Sequence, residues 1–249
     1  MMEVNIDVQK FDGFLRCLSI LRDICNDVEI RGGVIRQRSN DKANIFEIDL
    51  RPIILESDII ISNLKQKLDL LRCFTGRQVK FVTDEQDVLF SDDYSEIKFI
   101  NPRLDFLDNK FMTEQEFSSI FTLREEDVLL DIIVEKFISE RMKVIAQVFN
   151  IVSFQMFFEG DMASIKASTT SKDQRATIVS KIPVNQNLTC FSNLVTTPFI
   201  IDSDTNIALK MYNVQDSLCI NRFTASIGDC NISVFTRSQF IEHKEETEE

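Results

Sequence analysis

The chain has 249 residues, of which 44% are hydrophobic and 21 are phenylalanine, enough apolar material for one large domain or two smaller ones. A formal net charge of −12 argues against nucleic-acid binding unless the positive charge is concentrated on one surface. There is no apolar run of about 18 residues and no signal-peptide pattern, so we expect an intracellular protein without a membrane span. The six cysteines are scattered without a Cys-x-x-Cys pair, which predicts buried free thiols in a reducing compartment.

The first half of the chain predicts a strand, a helix and three further strands. After the run VNIDVQKF, apolar residues recur at helical spacing from Phe11 to Leu21, and the helix ends near Cys25. The runs DVEIR, GVIRQRS and ANIFEIDL predict strands, because a Gly-Gly and an Asn-Asp turn signal separate them. The run DIIIS then leads into a second helix within Asn63–Arg77, and the strands QVKFVT and EIKFIN follow.

The second half repeats this order of elements. The run LDIIVEKF matches VNIDVQKF at an offset of 126 residues, and Met142, Ile145 and Phe149 then mark a helix. The strands IVSFQMFFEG, MASIKAST and ATIVSKIPV follow, and after them NLTCFS, IALKMYN, SLCINRFTA and CNISVFTRS. The repeat predicts two similar α+β domains, each built from two strand–helix–strands units. We place the domains at 1–112 and 127–241, a connector at 113–126 and an acidic tail at 242–249.

Positive charge is concentrated on the predicted helices. The segments 9–25, 63–77 and 135–147 together carry ten basic and five acidic residues, whereas the remainder of the chain has a net charge of −17. Lys65 and Arg72 share one face of their helix, Lys136 and Lys143 repeat that pattern on theirs, and apolar residues lie opposite. For any one helix alone, the charged side would be explained as an ordinary solvent-exposed face. Because three such helices occupy equivalent places in a repeat, we predict that their charged faces together form a basic track that binds a phosphate backbone.

Groups that could carry catalysis are sparse in the sequence. The single histidine, His243, lies in the acidic tail, and Asp202 and Asp204 fit a turn between strands better than a metal site. No Gly-x-x-x-x-Gly-Lys phosphate loop is present. We therefore predict no catalytic residue, no metal and no cofactor. A metal-dependent nucleic-acid enzyme stays open as the weaker alternative, because the sequence does not exclude carboxylates that converge in space.

The order of elements resembles that of DNA sliding clamps of the PCNA and T-even phage type. The likeness covers nearly the whole chain and is closest in ANIFEIDL, DIIISNLKQKLDLLRCF and QVKFVT, where that family has a strand, an inner helix rich in Lys and Arg, and another strand. It implies the DNA-clamp fold, with antiparallel sheets outside and helices lining a closed homotrimeric ring. It also implies a viral or phage processivity factor that is not an enzyme and acts at replication sites, in the host-cell cytoplasm if phage-encoded. The implied partners are duplex DNA, bound without sequence specificity, a DNA polymerase and a clamp loader.

The resemblance assigns roles to particular residues. The DNA-binding residues would be the helix cations Lys10, Arg16, Arg22, Lys65, Lys67, Arg72, Arg77, Lys136, Arg141 and Lys143. Peptide tails of the polymerase and the loader would dock at the connector, on Phe117, Ile120, Phe121 and Leu123. The subunit interface would join two edge strands, Leu104–Met112 and Arg175–Pro183, through Leu104, Phe106, Leu107, Phe111, Ile178, Val179 and Ile182.

One segment departs from the family pattern. A fourth inner helix would lie near Ser192–Phe199, but this segment is β-branched, contains Pro198 and has no charge, so we leave it out of the DNA-binding residues. The second alternative is a monomeric processivity factor of the same two-domain fold, which holds DNA by charge without forming a ring. Its signature would be a markedly basic exposed face, which the net charge of −12 disfavours.

Overall fold

The structure is a computed structural model in which the chain divides into two compact units. The first unit is Met1–Thr122 together with Ser226–Ser233, and the second is Leu123–Ala225 together with Val234–Glu249. The order of elements did not predict that Ser226–Ser233, which lies within the second repeat, would group with the first unit. The residues that the structure describes are 2–39, 44–84, 86–101, 112–120, 122–149, 153–159, 162–168, 175–183, 190–195, 203–215 and 218–242.

The first unit follows the predicted order of elements, with two additions. Its elements are β1 (Met2–Asp7), α1 (Val8–Leu21), β2 (Val28–Ile30), β3 (Val34–Arg38), β4 (Asn44–Asp49), α2 (Arg51–Ile54), β5 (Ile59–Ile61), α3 (Leu64–Leu71), β6 (Gln78–Thr83), β7 (Asp87–Ser91), β8 (Glu96–Ile100) and α4 (Glu114–Ile120). The strand β7 was not predicted, because its apolar residues Val88–Phe90 are consecutive rather than alternating and acidic residues flank them. Helix α4 was not predicted either, although the Thr-x-x-Glu pattern at Thr113–Glu116 is a helix-start signal.

A four-stranded antiparallel sheet in the order β1-β6-β7-β8 supports the helices of this unit. The helix α1 begins at Asp7, whose carboxylate accepts a hydrogen bond from the Lys10 amide at 2.9 Å. Its phenylalanines then pack on the sheet: the ring of Phe90 on β7 lies 6.0 Å from the rings of both Phe11 and Phe14. Helix α3 packs beside α1. The apolar stripes predicted from helical spacing are therefore the buried faces of these helices.

Two smaller antiparallel pairings, β2 with β5 and β3 with β4, complete the first unit. The turn between β2 and β3 requires Gly33, whose φ is 73° and where a Cβ would clash with the carbonyl oxygen of Leu55. The Gly33 amide donates to the Ser57 carbonyl, and the Gly33 carbonyl accepts from the Leu50 amide, both at 2.9 Å. The turn therefore holds the loops before and after α2 close to β3.

The second unit repeats this topology. A 3₁₀ turn at Glu125–Asp127 precedes β9 (Val128–Val134), α5 (Lys136–Phe149), β10 (Ser153–Glu159), β11 (Met162–Ser168), β12 (Arg175–Pro183), β13 (Cys190–Val195), β14 (Ile207–Gln215), β15 (Leu218–Ile227) and β16 (Cys230–Glu242). The sheet order is β12-β11-β10-β13-β16-β15-β14-β9. The pairs β9–β14, β10–β13 and β11–β12 correspond to β1–β6, β2–β5 and β3–β4. The predicted α+β repeat is confirmed.

One sequence-based expectation in this unit is wrong. The residues Ser192–Val195 do not form a fourth inner helix but lie in β13, which pairs with β10. Of these four residues only Val195 strongly favours a strand, so the ladder partner available on β10 decides the conformation. The rest of that segment, 196–199, lies outside the described residues, as do 104–111 of the predicted edge strand Leu104–Met112 and the tail 243–249.

Candidate nucleic-acid interface

The outward face of α1 and α3 brings two of the predicted DNA-binding arginines together. Arg22 Nη2 lies 3.8 Å and Arg72 Nη1 lies 3.5 Å from the same carboxylate oxygen, Oδ1 of Asp69. Arg72 also donates from Nη2 to Ser19 Oγ at 3.0 Å, so its side chain bridges α3 and α1. A guanidinium has five N–H donors, and one shared carboxylate occupies few of them. The cluster therefore has a net charge of +1 and keeps donors for a further anion.

A surface groove of about 500 Å³ adjoins this cluster at the start of α3. The loop after α1 positions the helix start, because the Leu64 amide donates to the Asn26 carbonyl at 2.7 Å and the Asn63 amide donates to Asp27 Oδ1 at 3.0 Å. The exposed Lys65 is the second predicted cation in the lining of the groove, beside Arg22. Two cations and one carboxylate lie among its lining residues, so an anionic group can find a charged partner there. The lining residues are Arg22, Cys25, Asn26, Asn63, Leu64, Lys65, Gln66 and Asp69.

Lys67 is placed differently from the other α3 cations. Its Nζ lies 4.7 Å from the centroid of the Phe99 ring and donates to Ser62 Oγ at 3.1 Å. Burial lowers the pKa of the Lys67 ammonium from its ordinary value, although Asp27 acts in the opposite direction. Lys67 therefore contributes to the packing of α3 on the sheet and presents less charge to solvent than Lys65 does.

Lys10 and Arg77 lie near the start of α1, at the opposite end of that helix from Arg22. Lys10 is exposed, with Nζ 3.5 Å from Asp229 Oδ2. Arg77 is also exposed, and its carbonyl accepts a hydrogen bond from the Val8 amide at 3.0 Å. Arg16 lies between the two ends of α1 and is partly buried. The first-unit cations therefore extend along the whole length of α1.

The second-unit cations lie on α5, which is capped from a distant loop. Asn206 Oδ1 accepts a hydrogen bond from the Lys136 amide at 2.9 Å. The Lys136 ammonium lies 3.9 Å from Glu140 Oε1, and the Arg141 guanidinium lies 5.5 Å from the Phe137 ring. These contacts stay within α5, so they position its side chains without joining them to another helix.

The exposed face of α5 differs from the one expected from the sequence. Lys136 and Lys143 are only partly exposed. The exposed fractions of Phe137, Val144 and Val148 are 49%, 56% and 67%. Spacings of seven and four residues place these three on one helical face, so an apolar line accompanies the predicted basic stripe.

Solved structures with the same fold come from PCNA proteins. A PCNA2–PCNA3 complex from Sulfolobus tokodaii gives a TM-score of 0.65 at 13% identity, covering 95% of this chain and 99% of that one. The PCNA of A. fulgidus, bound to the C-terminal region of FEN-1, gives 0.66 at 12% identity, covering 98% and 100%. The PCNA of Entamoeba histolytica gives 0.63 at 10% identity, covering 96% and 98%. The chain has the sliding-clamp fold.

No protein-family model matches the sequence, and no curated protein matches it at a significant level. The likeness to the clamps therefore lies in the fold over nearly the whole chain, and the predicted fold class is confirmed. The similarity also explains why the order of elements, rather than a short motif, carried the resemblance in the sequence.

In this clamp fold β12 lies at the end of the sheet. Among the described strands it pairs only with β11, with Ile178 opposite Ile165 and Ile182 opposite Ala163. Its other backbone edge therefore has no ladder partner among those strands, which is what joining to a second sheet requires. Interface roles for Ile178, Val179 and Ile182 stay predictions. The other four predicted interface residues, Leu104, Phe106, Leu107 and Phe111, lie outside the described residues.

The predicted partner-binding residues lie on or just after α4. Phe117 is partly buried, with its ring centroid 5.4 Å from the guanidinium carbon of Arg36. Ile120 is the last residue of α4, and Leu123 is partly buried in the second unit. Phe121 lies outside the described residues. Their role in binding peptides stays a prediction.

Within the part of the chain that the structure describes, no group of three or more His, Cys, Asp and Glu residues could hold a metal ion. Nor is any helix there long and apolar enough to cross a membrane. Cys25, Cys219 and two other cysteines are buried reduced thiols, as predicted, whereas Cys73, just after the end of α3, is exposed. Asp204 lies in an exposed bend before β14, and both Asp202 and His243 lie outside the described residues.

Proposed function

We propose that this chain is a sliding clamp, three copies of which close into a ring around duplex DNA and tether a DNA polymerase to it. The observation that carries the proposal is the meeting of Arg22, Lys65 and Arg72 on the outward face of the α1–α3 layer. In a protein of net charge −12, such a face is the place where a phosphate backbone can approach.

The chemistry of this face suits sliding. Arginine and lysine contacts to phosphates carry no sequence information, so the protein can move from one register of the duplex to the next. The acidic remainder of the chain repels DNA and so limits binding elsewhere on the surface. In this proposal Lys10, Arg16 and Arg77 extend the basic face within the first unit, the α5 cations contact phosphates in the second unit, and Lys67 contributes mainly to packing.

The proposed partners and setting follow from the clamp function. A clamp loader opens the ring, and the polymerase docks near the connector, where Phe117, Leu123 and their neighbours lie. The ring acts at replication sites, in the host-cell cytoplasm if the chain is of phage origin. Chemistry on DNA is left to the partners, and the clamp itself is not an enzyme.

Light scattering tests the ring directly. We expect a particle of three times the 28.8 kDa chain mass. Proline at Ile178 should shift the protein to folded monomers, because proline removes a backbone donor from the β12 edge. A monomeric wild-type protein that still stimulates the polymerase would instead support the monomeric processivity factor.

Two charge-matched variants test the basic face. We expect Lys65→Gln/Arg72→Gln to lower polymerase stimulation and to reduce the slope of log affinity against log salt by about 0.9 for each lost phosphate contact. The control, Lys80→Gln/Lys98→Gln, removes the same charge from exposed positions on the four-stranded sheet. Equal effects of the two variants would mean that total charge, and not the helix face, governs DNA binding.

A further inference from the structure

The connector helix α4 is short and exposed. Its start is fixed by a reciprocal capping box, in which the Thr113 amide donates to Glu116 Oε2 at 2.7 Å and the Glu116 amide donates to Thr113 Oγ1 at 3.2 Å. Of its described side chains, only Phe117 is partly buried. A seven-residue helix is too short to persist alone in water. Contacts with the rest of the first unit must therefore hold α4 in place.

Arg36 on β3 supplies two of these contacts. Its Nε donates to Glu47 Oε2 at 2.9 Å, which fixes the guanidinium on the β3–β4 pair. The same group lies 3.9 Å from Glu114 Oε1 and 5.4 Å from the centroid of the Phe117 ring. The Arg36 carbonyl also accepts from the Met112 amide at 3.4 Å. One arginine thus contacts a carboxylate and an aromatic ring of α4 at once.

The charges of two further arginines act on the acidic side of α4. The hydrogen bonds from Thr113 lower the pKa of the Glu116 carboxyl, and the positive charges of Arg38 and Arg31 lower it further. Arg31 is held by the buried Glu29, with which it forms an ion pair. Arg31, Arg36 and Arg38, here called the arginine patch, therefore lie close to the acidic and aromatic segment Glu114–Phe117 of sequence EQEF.

We propose that the arginine patch is a docking surface for an acidic peptide of a partner protein with the pattern Glu-x-Glu-Phe, and that α4 occupies this surface in the free chain. The contacts of α4 show which chemistry the surface accepts: the Glu114 carboxylate and the Phe117 ring both lie against Arg36, and the charges of Arg31 and Arg38 act on the Glu116 carboxyl. Because α4 is short and exposed, a partner peptide with the same groups can replace it. The proposal goes beyond the clamp function and needs neither DNA nor a polymerase.

Competition between α4 and a second peptide provides the test. The tethered α4 acts at an effective concentration near the millimolar range, so it weakens the binding of a free copy of itself. The probe is a fluorescent peptide with the sequence MTEQEFSSI of residues 112–120. The variant Glu114→Gln/Phe117→Ala weakens α4 at both of its contacts with Arg36. We expect fluorescence anisotropy to show this variant binding the probe about tenfold more tightly than the wild type does.

Further variants and salt define the surface. Adding Arg36→Gln or Arg38→Gln to the weakened variant should reduce probe binding about tenfold, and so should raising the salt toward 1 M. The control Lys80→Gln should have no effect, and a probe with both Glu→Gln and Phe→Ala should not bind. Circular dichroism checks that each variant is folded.

Three outcomes would overturn the proposal. The first is equal probe affinity of the wild type and the α4-weakened variant. The second is binding that survives both the Arg38 change and high salt. The third is that deleting the acidic tail 243–249 tightens probe binding as much as weakening α4 does. The tail, and not α4, would then be the segment that occupies the arginine patch in the free chain. None of these outcomes bears on ring formation, so failure here and failure of the clamp function are distinguishable.

Discussion

The helices of the two units share one topology but present different chemistry to solvent. In the first unit, two arginines from α1 and α3 meet at Asp69, and Lys65 lines a groove beside them. In the second unit, α5 exposes an apolar line that includes Val144 and Val148, and its lysines are partly buried. The buried faces are similar because both must pack on a sheet, whereas the outward faces are not constrained in this way. An internal repeat therefore predicts the fold better than it predicts the function of a surface.

The largest effect is expected from the aromatic core of the first unit. Phe90 is fully buried, and its ring lies between 5.1 and 6.1 Å from four other phenylalanine rings. Phe90→Ala should lower the free energy of unfolding by about 3–5 kcal/mol, and Met142→Ala in the buried face of α5 by about 2–5 kcal/mol. Urea denaturation followed by circular dichroism measures both.

The neighbouring Leu89 provides the control for this prediction. It is partly exposed and lies on the other face of β7, so Leu89→Ala should cost less than about 1 kcal/mol. If Leu89→Ala and Phe90→Ala were equally destabilising, the aromatic cluster would not be what fixes the helices to the sheet.

The comparison of the two outward faces is tested by removing two charges from each. Lys65→Gln/Arg72→Gln should reduce the salt slope of DNA binding by up to about 1.8, and Lys136→Gln/Lys143→Gln by less than about 0.9. The reason is that the α5 lysines are partly buried beside an apolar line. A larger loss for the α5 pair would reverse the assignment of the main phosphate contacts.

The helix caps give a smaller effect in each unit. Asp7 caps α1 locally, whereas Asn206 caps α5 from 70 residues away. Asp7→Ala and Asn206→Ala should each lower the free energy of unfolding by about 1 kcal/mol. Hydrogen exchange should accelerate at the capped amides of Lys10 and Lys136. Asp7→Asn keeps an acceptor and should be nearly neutral. Unchanged protection at Lys136 in Asn206→Ala would show that the cap is dispensable.

The buried thiols give an effect that is visible only at alkaline pH. Burial raises the pKa of Cys25 from 9.0 to about 12 and that of Cys219 to about 11. Above pH 9 the unfolded thiol ionises and the folded thiol does not. The stability contributed by the neutral thiol is therefore complete below pH 9 and is lost as the pH rises toward 12. Near pH 10, the stability difference between the wild type and Cys25→Ala should be about 1 kcal/mol smaller than at neutral pH. An equal stability difference between the two proteins at both pH values would contradict the raised pKa of Cys25.

Local patterns in the sequence predicted the elements whose burial follows a regular period. Apolar spacing located α1, α3 and α5, and alternation located most strands, because burial on one face imposes those periods. The strand β7 was missed because its apolar residues are consecutive and do not alternate with polar ones. Helix α4 was missed although its capping box was readable at Thr113–Glu116. At Ser192–Val195 the family pattern suggested a helix, but the structure pairs this run with β10, a long-range contact that local preferences do not encode.

The sequence by itself determined the repeat, the order of elements and the concentration of positive charge on the helices, because these depend on residues close together in the chain. Only the tertiary structure decided which charges meet. Arg22 and Arg72 both contact Asp69 because α1 and α3 pack side by side. The Lys67 ammonium packs on the ring of Phe99 and is therefore less available on the basic face of α3. The docking of α4 by Arg36 and the grouping of Ser226–Ser233 with the first unit likewise join residues far apart in the chain. A helical period specifies which side of a helix is buried, but not which side chain of another element lies opposite it.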